Sequence, residues 1–112
     1  MTLSFSISTG CPIIDEDGNL FSTCTVLNIH GDNISPSELD RNAVPDIMGT
    51  GVVISGRAPV WVFAFLIHIL GNKNRYVATY DPRIVEGGAA VVVATGSRDC
   101  AIGDIIKVSL PK

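Results

Sequence analysis

The chain of 112 residues has little charge, few histidines and no long apolar run, and each shortage excludes a class of protein. Charged residues make up 17% and hydrophobic residues 46% of the chain, against a usual charged share of about a quarter. A domain of this size buries only a modest core, so we expect a second copy to cover the surplus apolar surface in a homo-oligomer.

The longest largely apolar run, residues 59–70, covers 12 residues including His68. A membrane helix needs about 20, so we do not expect a membrane protein.

The cysteines and histidines lack the spacing of a disulfide framework or a zinc site. Cys11, Cys24 and Cys100 are odd in number and form no Cys-x-x-Cys pair, so we interpret them as small buried residues. His30 directly follows a predicted strand, beside a turn, and with only one other histidine in the chain we do not expect it to bind a metal. No basic region precedes an apolar stretch at the N-terminus, so we expect no secretory signal and a cytoplasmic location.

Charge is distributed unevenly along the chain. Residues 1–50 contain seven acidic residues and one arginine, a formal charge of -6. Residues 51–112 contain seven basic and four acidic residues, a formal charge of +3. An anionic ligand would therefore prefer the second part of the chain. A solvated face without any ligand gives a similar split, so charge alone does not decide between a binding site and a plain surface.

The N-terminal part predicts an antiparallel hairpin and one short helix. Alternating apolar and polar residues over 3–8 and a β-branched run over 23–29 each indicate a strand. An acidic turn at 15–18 lies between them, so the hairpin should have a long loop. Ser35 precedes a proline and stands three residues before Glu38, which is the pattern of a capping box at the start of a helix.

The middle of the chain predicts a βαβ unit. Residues 50–55 form a continuous apolar strand of the kind that is buried on both faces. Pro59 fits the first turn of a helix over 59–70, and a second strand begins at 75 and ends at 80. The two strands should be parallel and joined by a right-handed crossover.

The complete pattern predicts one α/β domain over residues 1–112. Two further strands, over 89–95 and 104–110, complete a mixed sheet that contains the parallel βαβ unit. No internal repeat, linker or low-complexity segment divides the chain.

Two arginine-containing motifs follow the strands of the βαβ unit: Ser-Gly-Arg at 55–57 and Tyr-Asp-Pro-Arg at 80–83. Parallel strands end at the same edge of a sheet, so the motifs should emerge side by side, where open α/β sheets bind their ligands. The first motif leads into a helix N-terminus, which attracts phosphate, and Arg57 offers a planar fork to phosphate oxygens. Asp81 could orient an arginine, hold a divalent cation or accept a proton from a hydroxyl.

The same motifs also have a purely structural interpretation. Residues 55–59 would form a tight turn between strand and helix, and Arg83 would pair with Asp81 on the surface. Neither motif is a Walker A loop or a dinucleotide-binding fingerprint, so spacing leaves both interpretations open. Trp61 shares a helix face with His68; we interpret the tryptophan as core or interface, and the histidine as a partly buried interface residue or a catalyst.

The segments between residues 50 and 110 resemble, in the same order, the third class of CRISPR-associated ring nucleases, the Csx-three type. The segments that carry the resemblance are Gly-Val-Val-Ile-Ser-Gly-Arg-Ala-Pro-Val-Trp at 51–61, Phe-Leu-Ile-His at 65–68, Tyr-Asp-Pro-Arg at 80–83, Ala-Val-Val-Val at 90–93 and Gly-Asp at 103–104. The first 45 residues contribute little to it.

The resemblance implies a small α/β dimer, distantly Rossmann-like and CARF-like, that serves antiviral defence. Proteins of that family bind cyclic tetra-adenylate, the second messenger of type III CRISPR systems, and hydrolyse this RNA ring to linear products with manganese, which switches the signal off. The ring is clamped between dimers that stack head to tail. The implied partners are therefore cyclic tetra-adenylate and further copies of the chain in a tetramer or filament, with no membrane and no duplex DNA.

The resemblance also implies roles for individual residues. The implied ligand-binding residues are those of the strand-to-helix turn and one tyrosine: Ser55, Gly56, Arg57, Ala58, Pro59 and Tyr80. The implied catalytic residues are Asp81, Arg83 and His68, and Asp81 would also bind the manganese ion. At 1.5 Å per helical residue, His68 lies on the order of 15 Å from Ser55, so it would act in a site formed with a stacked neighbour.

The chain departs from the family pattern at two positions. Thr95-Gly96 stands where family members typically carry a histidine, and residues 72–74 replace a second histidine that often follows the helix. Both changes remove a candidate general acid or base. A protein that binds the ring without cutting it, as a trap or a sensor, is therefore the alternative, and a binder of some other phosphate-bearing ligand is a third class.

Overall fold

A computed structural model describes residues 3–15, 17–98 and 100–110. The main elements, in chain order, are β1 (Ser4–Ile14), β2 (Leu20–His30), β3 (Gly51–Gly56), α1 (Val60–Leu70), β4 (Tyr76–Asp81), β5 (Ala89–Thr95) and β6 (Ile105–Val108). Two short 3-10 helices, Pro36–Glu38 and Arg41–Ala43, lie between β2 and β3.

The six strands form a closed barrel in chain order, and β6 pairs with β1 to close it. Strand β3 is parallel to both β2 and β4, and the other pairs are antiparallel. The predicted Rossmann-like α/β class is therefore wrong. The connections over 82–88 and 96–104 are each shorter than the dozen or so residues that a crossover helix needs, so β5 and β6 return antiparallel. The sheet then curls until its two edges pair.

The predicted parallel unit is present inside this barrel. Strand β3 pairs with β4 from Gly51↔Tyr76 to Ile54↔Thr79, and α1 connects the two strands. Strand β3 is buried on both faces, as its continuous apolar sequence predicts. Val52 and Ile54 pack in the core beneath α1, whereas Val53 packs in a second core inside the barrel.

Helix α1 covers one side of the barrel. Its buried face consists of Val62, Leu66, Ile69 and Leu70. Trp61 packs half-buried against the same core, which agrees with a packing role for this residue. His68 is exposed on the single chain, and its assignment as an interface residue or a catalyst stays a prediction.

The N-terminal hairpin is antiparallel, as predicted, but its loop is short because β1 and β2 have 11 residues each. The Asp15 side chain holds the turn: its Oδ1 accepts from the backbone nitrogens of Asp17 and Asn19, both at 2.9 Å. The predicted short helix is one turn of 3-10 helix, where the Glu38 carboxylate accepts from the Ser35 nitrogen at 2.7 Å.

The predicted burial of cysteine holds for Cys11 and Cys24, which oppose each other on β1 and β2. Cys100 is half-buried, and all three are free thiols. Burial, with a smaller contribution from Cys11, raises the pKa of Cys24 to about 12. Cys24 therefore stays a neutral thiol at physiological pH and serves packing.

Asn74 joins three segments at the end of the helix. Its Nδ2 donates to the carbonyls of Ile47 (2.9 Å) and Leu70 (3.0 Å), and its Oδ1 accepts from the Thr50 nitrogen (3.2 Å).

Asn74→Ala removes all three bonds at a buried position. We expect a loss of about 2–3 kcal/mol in the free energy of unfolding, measured by urea denaturation. The exposed Asn72→Ala is the control, and equal stability of the two variants would contradict the role of Asn74.

Candidate functional site

The carboxyl ends of β2, β3 and β4 lie side by side because these strands are parallel. Ile29 pairs with Gly56, and Ile54 pairs with Thr79, so residues 28–30, 55–57 and 79–83 meet at one edge of the barrel. We call these residues the carboxyl edge. The two arginine-containing motifs emerge there on neighbouring strands, about 5 Å apart in backbone spacing, as predicted.

Gly56 brings β3 against the backbone of β2. Its φ of +124° lies in a region that favours glycine. A Cβ at this position would lie 2.5 Å from the Ile29 carbonyl oxygen. The strand therefore turns directly after Ser55, and helix α1 begins four residues beyond Gly56.

Arg57 follows this turn and is exposed. Within residues 3–15, 17–98 and 100–110, no hydrogen bond or ion pair engages its guanidinium. Ala58 and Pro59 are half-buried, and the Pro59 carbonyl accepts from the Val62 nitrogen at 3.0 Å in the first turn of α1. The cation is thus available beside a helix N-terminus, which is the arrangement that binds anions.

A row of polar residues crosses the carboxyl edge. Ser6 pairs with Asn28, and Asn28 pairs with Ser55, so three adjacent strands present polar side chains at one level. Ser55 is buried, with 8% of its surface exposed, and Asn28 is half-buried. The row interrupts the apolar interior face that Val26 and Val53 continue below it.

Asp81 and Arg83 form a two-pronged ion pair. Asp81 Oδ1 accepts from the Arg83 backbone nitrogen at 2.8 Å and from Nε at 3.1 Å, while Oδ2 accepts from NH2 at 3.2 Å. The side-chain and backbone hydrogen bonds from Arg83 hold the pKa of Asp81 below its ordinary value. Asp81 is therefore ionised near neutral pH and cannot act as a general acid; it orients Arg83.

The ion pair makes a prediction about titration. Arg83→Gln removes the guanidinium, so the pKa of the Asp81 carboxyl should rise towards that of an ordinary aspartate, measured by carbon-13 NMR. The ion pair stabilises the folded state at pH values above the ordinary pKa of an aspartate, and this contribution is lost as the pH falls through the lowered pKa of Asp81. The contribution is small because the pair is exposed to solvent. Arg41→Gln serves as the control, and an unchanged Asp81 titration in Arg83→Gln would contradict the assignment.

Tyr80 fixes the loop that follows Arg83. Its hydroxyl donates to the Gly87 carbonyl at 2.9 Å, and a Cβ on Gly88 would overlap its ring. Tyr80 thus has a structural partner at the carboxyl edge, next to the ion pair of Asp81.

The sequence did not predict one polar cluster at this edge. The Ser6 hydroxyl lies 2.8 Å from His30 Nε2, and the Asn28 amide nitrogen lies 3.4 Å from the same atom. Polar and apolar residues alternate over 4–8 and over 27–30, which indicates that each strand has a polar face. Which polar residues meet across the two strands follows only from the register of the hairpin.

A large cavity lies elsewhere, around the amino ends of β2, β3 and β4. It has a volume of about 1070 Å³, and none of the residues predicted for the site lines it. Tyr76 borders it, and the Tyr76 hydroxyl is buried without a hydrogen-bond partner among the described residues. Four charged residues also line this cavity: Asp15, Arg75, Asp104 and Lys107. The cavity is therefore a separate feature, and the residues that the sequence predicts for the site lie at or directly beside the carboxyl edge, except His68.

Comparison with known proteins identifies the family. The family model described as CRISPR-associated protein (Cas_csx3) matches residues 27–107, which include every strand-terminal residue of the carboxyl edge. The chain belongs to this CRISPR-associated family. An uncharacterized protein of Aquifex aeolicus (strain VF5) is similar to it, with 35% identity over 80 residues that cover 67% of this chain and 68% of that protein.

His68 is not brought to the carboxyl edge of this family member. Helix α1 begins beside Arg57 and ends where β4 begins, so His68, two residues before the helix end, lies near the opposite edge. A second cavity of about 500 Å³ lies there, and residues 71–75 and 95–97 line it. The positions at which the resemblance implies histidines that this chain lacks, 72–74 and 95–96, thus line the same cavity.

The described residues do not fit a resident manganese ion. Within the part of the chain that the structure describes, no group of three histidine, cysteine, aspartate or glutamate side chains could hold a metal. Both carboxylate oxygens of Asp81 accept from Arg83, and no second carboxylate accompanies Asp81 at the carboxyl edge. A divalent ion needs several oxygen ligands, so Asp81 by itself does not make the predicted site.

None of the helices in the described part of the chain has the length and apolar character that crossing a bilayer requires.

Proposed function

We propose that this CRISPR-associated protein binds cyclic tetra-adenylate at its carboxyl edge and cleaves the ring to linear products, which ends an antiviral signal. The observation that carries the proposal is the position of Arg57, an exposed cation between His30 on β2 and the Asp81–Arg83 pair on β4. Family membership and the motif resemblance support the same ligand.

Recognition rests on groups suited to phosphate. Arg57 offers two parallel N-H donors to phosphate oxygens, and the start of α1 adds a partial positive charge. A ring with four equivalent phosphates requires repeated anion sites. A homodimer supplies two copies of the carboxyl edge, and stacked dimers in a tetramer or filament would supply the remainder.

Cleavage rests on position and charge. The ribose 2′-oxygen attacks the neighbouring phosphorus in line, and the bond to the 5′-oxygen breaks. Arg83, held by Asp81, stabilises the negative charge that develops on the phosphoryl oxygens. The products are linear adenylates that end in a cyclic phosphate. No step depends on a bound metal.

One observation favours a second candidate, binding without cleavage. The positions that correspond to the family histidines, at 72–74 and at 95–96, line one cavity and carry no histidine, aspartate or glutamate. If the family performs its chemistry there, this chain would retain the ring without cutting it and act as a trap or a sensor.

The first experiment separates these candidates. Purified protein is incubated with labelled cyclic tetra-adenylate, with and without manganese, and with linear tetra-adenylate as competitor. Native gels report binding and chromatography reports products. Linear adenylates ending in cyclic phosphate support cleavage, and retention without products supports the trap. Equal binding of cyclic and linear forms would contradict both, since it indicates a general phosphate binder.

Substitution of Asp81 tests the division between binding and turnover. Asp81→Ala frees Arg83 from its fixed geometry, so we expect turnover to fall about 10- to 100-fold while affinity changes by less than about threefold. Single-turnover rates and gel-shift affinities measure the two quantities. Glu86→Ala removes the same charge from the adjacent exposed loop and is the control. A turnover equal to that of the wild type would remove Asp81 from the mechanism.

A further inference from the structure

His30 stands at the carboxyl edge with one ring nitrogen in contact with two polar side chains. Its Nε2 lies 2.8 Å from the Ser6 hydroxyl and 3.4 Å from the Asn28 amide nitrogen. An amide nitrogen only donates, so the Asn28 contact favours a neutral ring with its proton on Nδ1, in which the single lone pair of Nε2 accepts chiefly from the nearer Ser6 hydroxyl. Ser6 and Asn28 thus hold the imidazole ring in one orientation, with Nε2 directed at the Ser6 hydroxyl.

The three side chains of this cluster come from paired strands, and the cluster is open to ligands. Ser6 and Asn28 are partners in the β1–β2 register, and His30 is two residues beyond Asn28 on the same strand face. Ser6 and His30 are both exposed. A substrate hydroxyl could therefore replace the Ser6 hydroxyl at Nε2 without rearrangement of the backbone.

The cluster adjoins the proposed phosphate site. Ile29 pairs with Gly56, so His30, the last residue of β2, and Arg57, the first residue after β3, each follow this pair directly. Strands are about 5 Å apart, which brings a phosphate bound at Arg57 within reach of the imidazole on one side and of Arg83 on the other. The edge thus combines a base, a central phosphate-binding cation and a second cation.

We propose that His30 is the general base of ring cleavage. This inference rests on the proposed function. His30 Nε2 takes the proton of the ribose 2′-hydroxyl as the 2′-oxygen forms its bond to phosphorus. The bond from phosphorus to the 5′-oxygen breaks, and the 5′-oxygen takes a proton from a water molecule. The imidazolium then returns its proton to the hydroxide left behind, so the histidine is regenerated.

Two substitutions separate a catalytic role from a structural one. His30→Ala removes the base, and His30→Gln keeps a side chain that can contact Ser6 and Asn28 but cannot carry the proton. We expect kcat for cyclic tetra-adenylate to fall about 100-fold or more in both variants, the usual contribution of a general base. Affinity should change little. Added imidazole should restore part of the rate in His30→Ala, and Ser22→Ala, an exposed change near the other end of β2, should behave as the wild type.

The outcomes distinguish the inference from the function on which it rests. Cleavage by the wild type that survives in His30→Ala overturns the inference alone. Activity retained in His30→Gln, without an effect of imidazole on His30→Ala, assigns a structural role to His30 and also overturns it. Failure of the wild type to bind or cleave the ring overturns the proposed function together with the inference.

Discussion

Arg57→Ala is expected to lower the affinity for cyclic tetra-adenylate at least about 100-fold. A hydrogen bond to a charged group contributes about 1.5–3 kcal/mol, and a symmetric ring on a dimer would lose two such contacts at once. A factor of 100 in affinity corresponds to about 2.7 kcal/mol. Two lost contacts of about 1.5 kcal/mol each already exceed this value. Arg57 is exposed and has no structural partner among the described residues, so its removal should leave the fold intact.

Gel-shift titration at fixed ionic strength measures the effect. Arg41→Ala removes the same charge from an exposed 3-10 helix outside the edge and is the control for net charge. Arg57→Lys keeps the charge but loses the planar fork, so its affinity should lie between those of the wild type and Arg57→Ala. An affinity of Arg57→Ala equal to that of Arg41→Ala would remove the phosphate clamp from the carboxyl edge.

The sequence predicts the parallel unit well because its signals are local. An apolar strand buried on both faces, a proline that begins a helix and a short turn after Leu70 define β3, α1 and β4 to within one residue. The closed barrel depends on a contact between the two ends of the chain, Ile13↔Val108 and Ile14↔Lys107. No local pattern encodes which strand edge pairs with which, so the class was predicted wrongly.

The same distinction applies to the site. The adjacency of the Ser55–Arg57 turn and the Asp81–Arg83 pair follows from parallel strands alone, and the sequence predicted it. The contact of Ser6 with His30 depends on the hairpin register, including the shift between Ser8 and Cys11, which no composition reveals.

The separation of His68 from the carboxyl edge follows from the direction of α1. The helix runs back across the barrel, from the end of β3 to the start of β4. Motifs that follow one another along the chain therefore need not form a single cluster in the folded protein. The segments at 51–61 and 65–68 follow each other closely in the chain, but they place Arg57 and His68 at two different edges of the barrel.

Gly56→Ala is expected to destabilise the fold by about 4 kcal/mol, because two costs combine at one position. A φ of +124° is disfavoured for any residue with a Cβ. The added carbon would also lie 2.5 Å from the Ile29 carbonyl oxygen and 3.0 Å from the Ile29 nitrogen. These atoms belong to the backbone of a paired strand and cannot move aside without breaking the β2–β3 ladder.

Thermal and urea unfolding measure the loss, and Gly18→Ala provides a matched control. Gly18 has a φ of +83°, but a Cβ there would meet nothing within 4 Å, so this variant carries the backbone strain without the collision. Its cost should be about 1–2 kcal/mol. The difference between the variants therefore isolates the contact of β3 with β2, which sets the spacing between Arg57 and His30. If both lost the same stability, the close approach at Gly56 would not hold the carboxyl edge together.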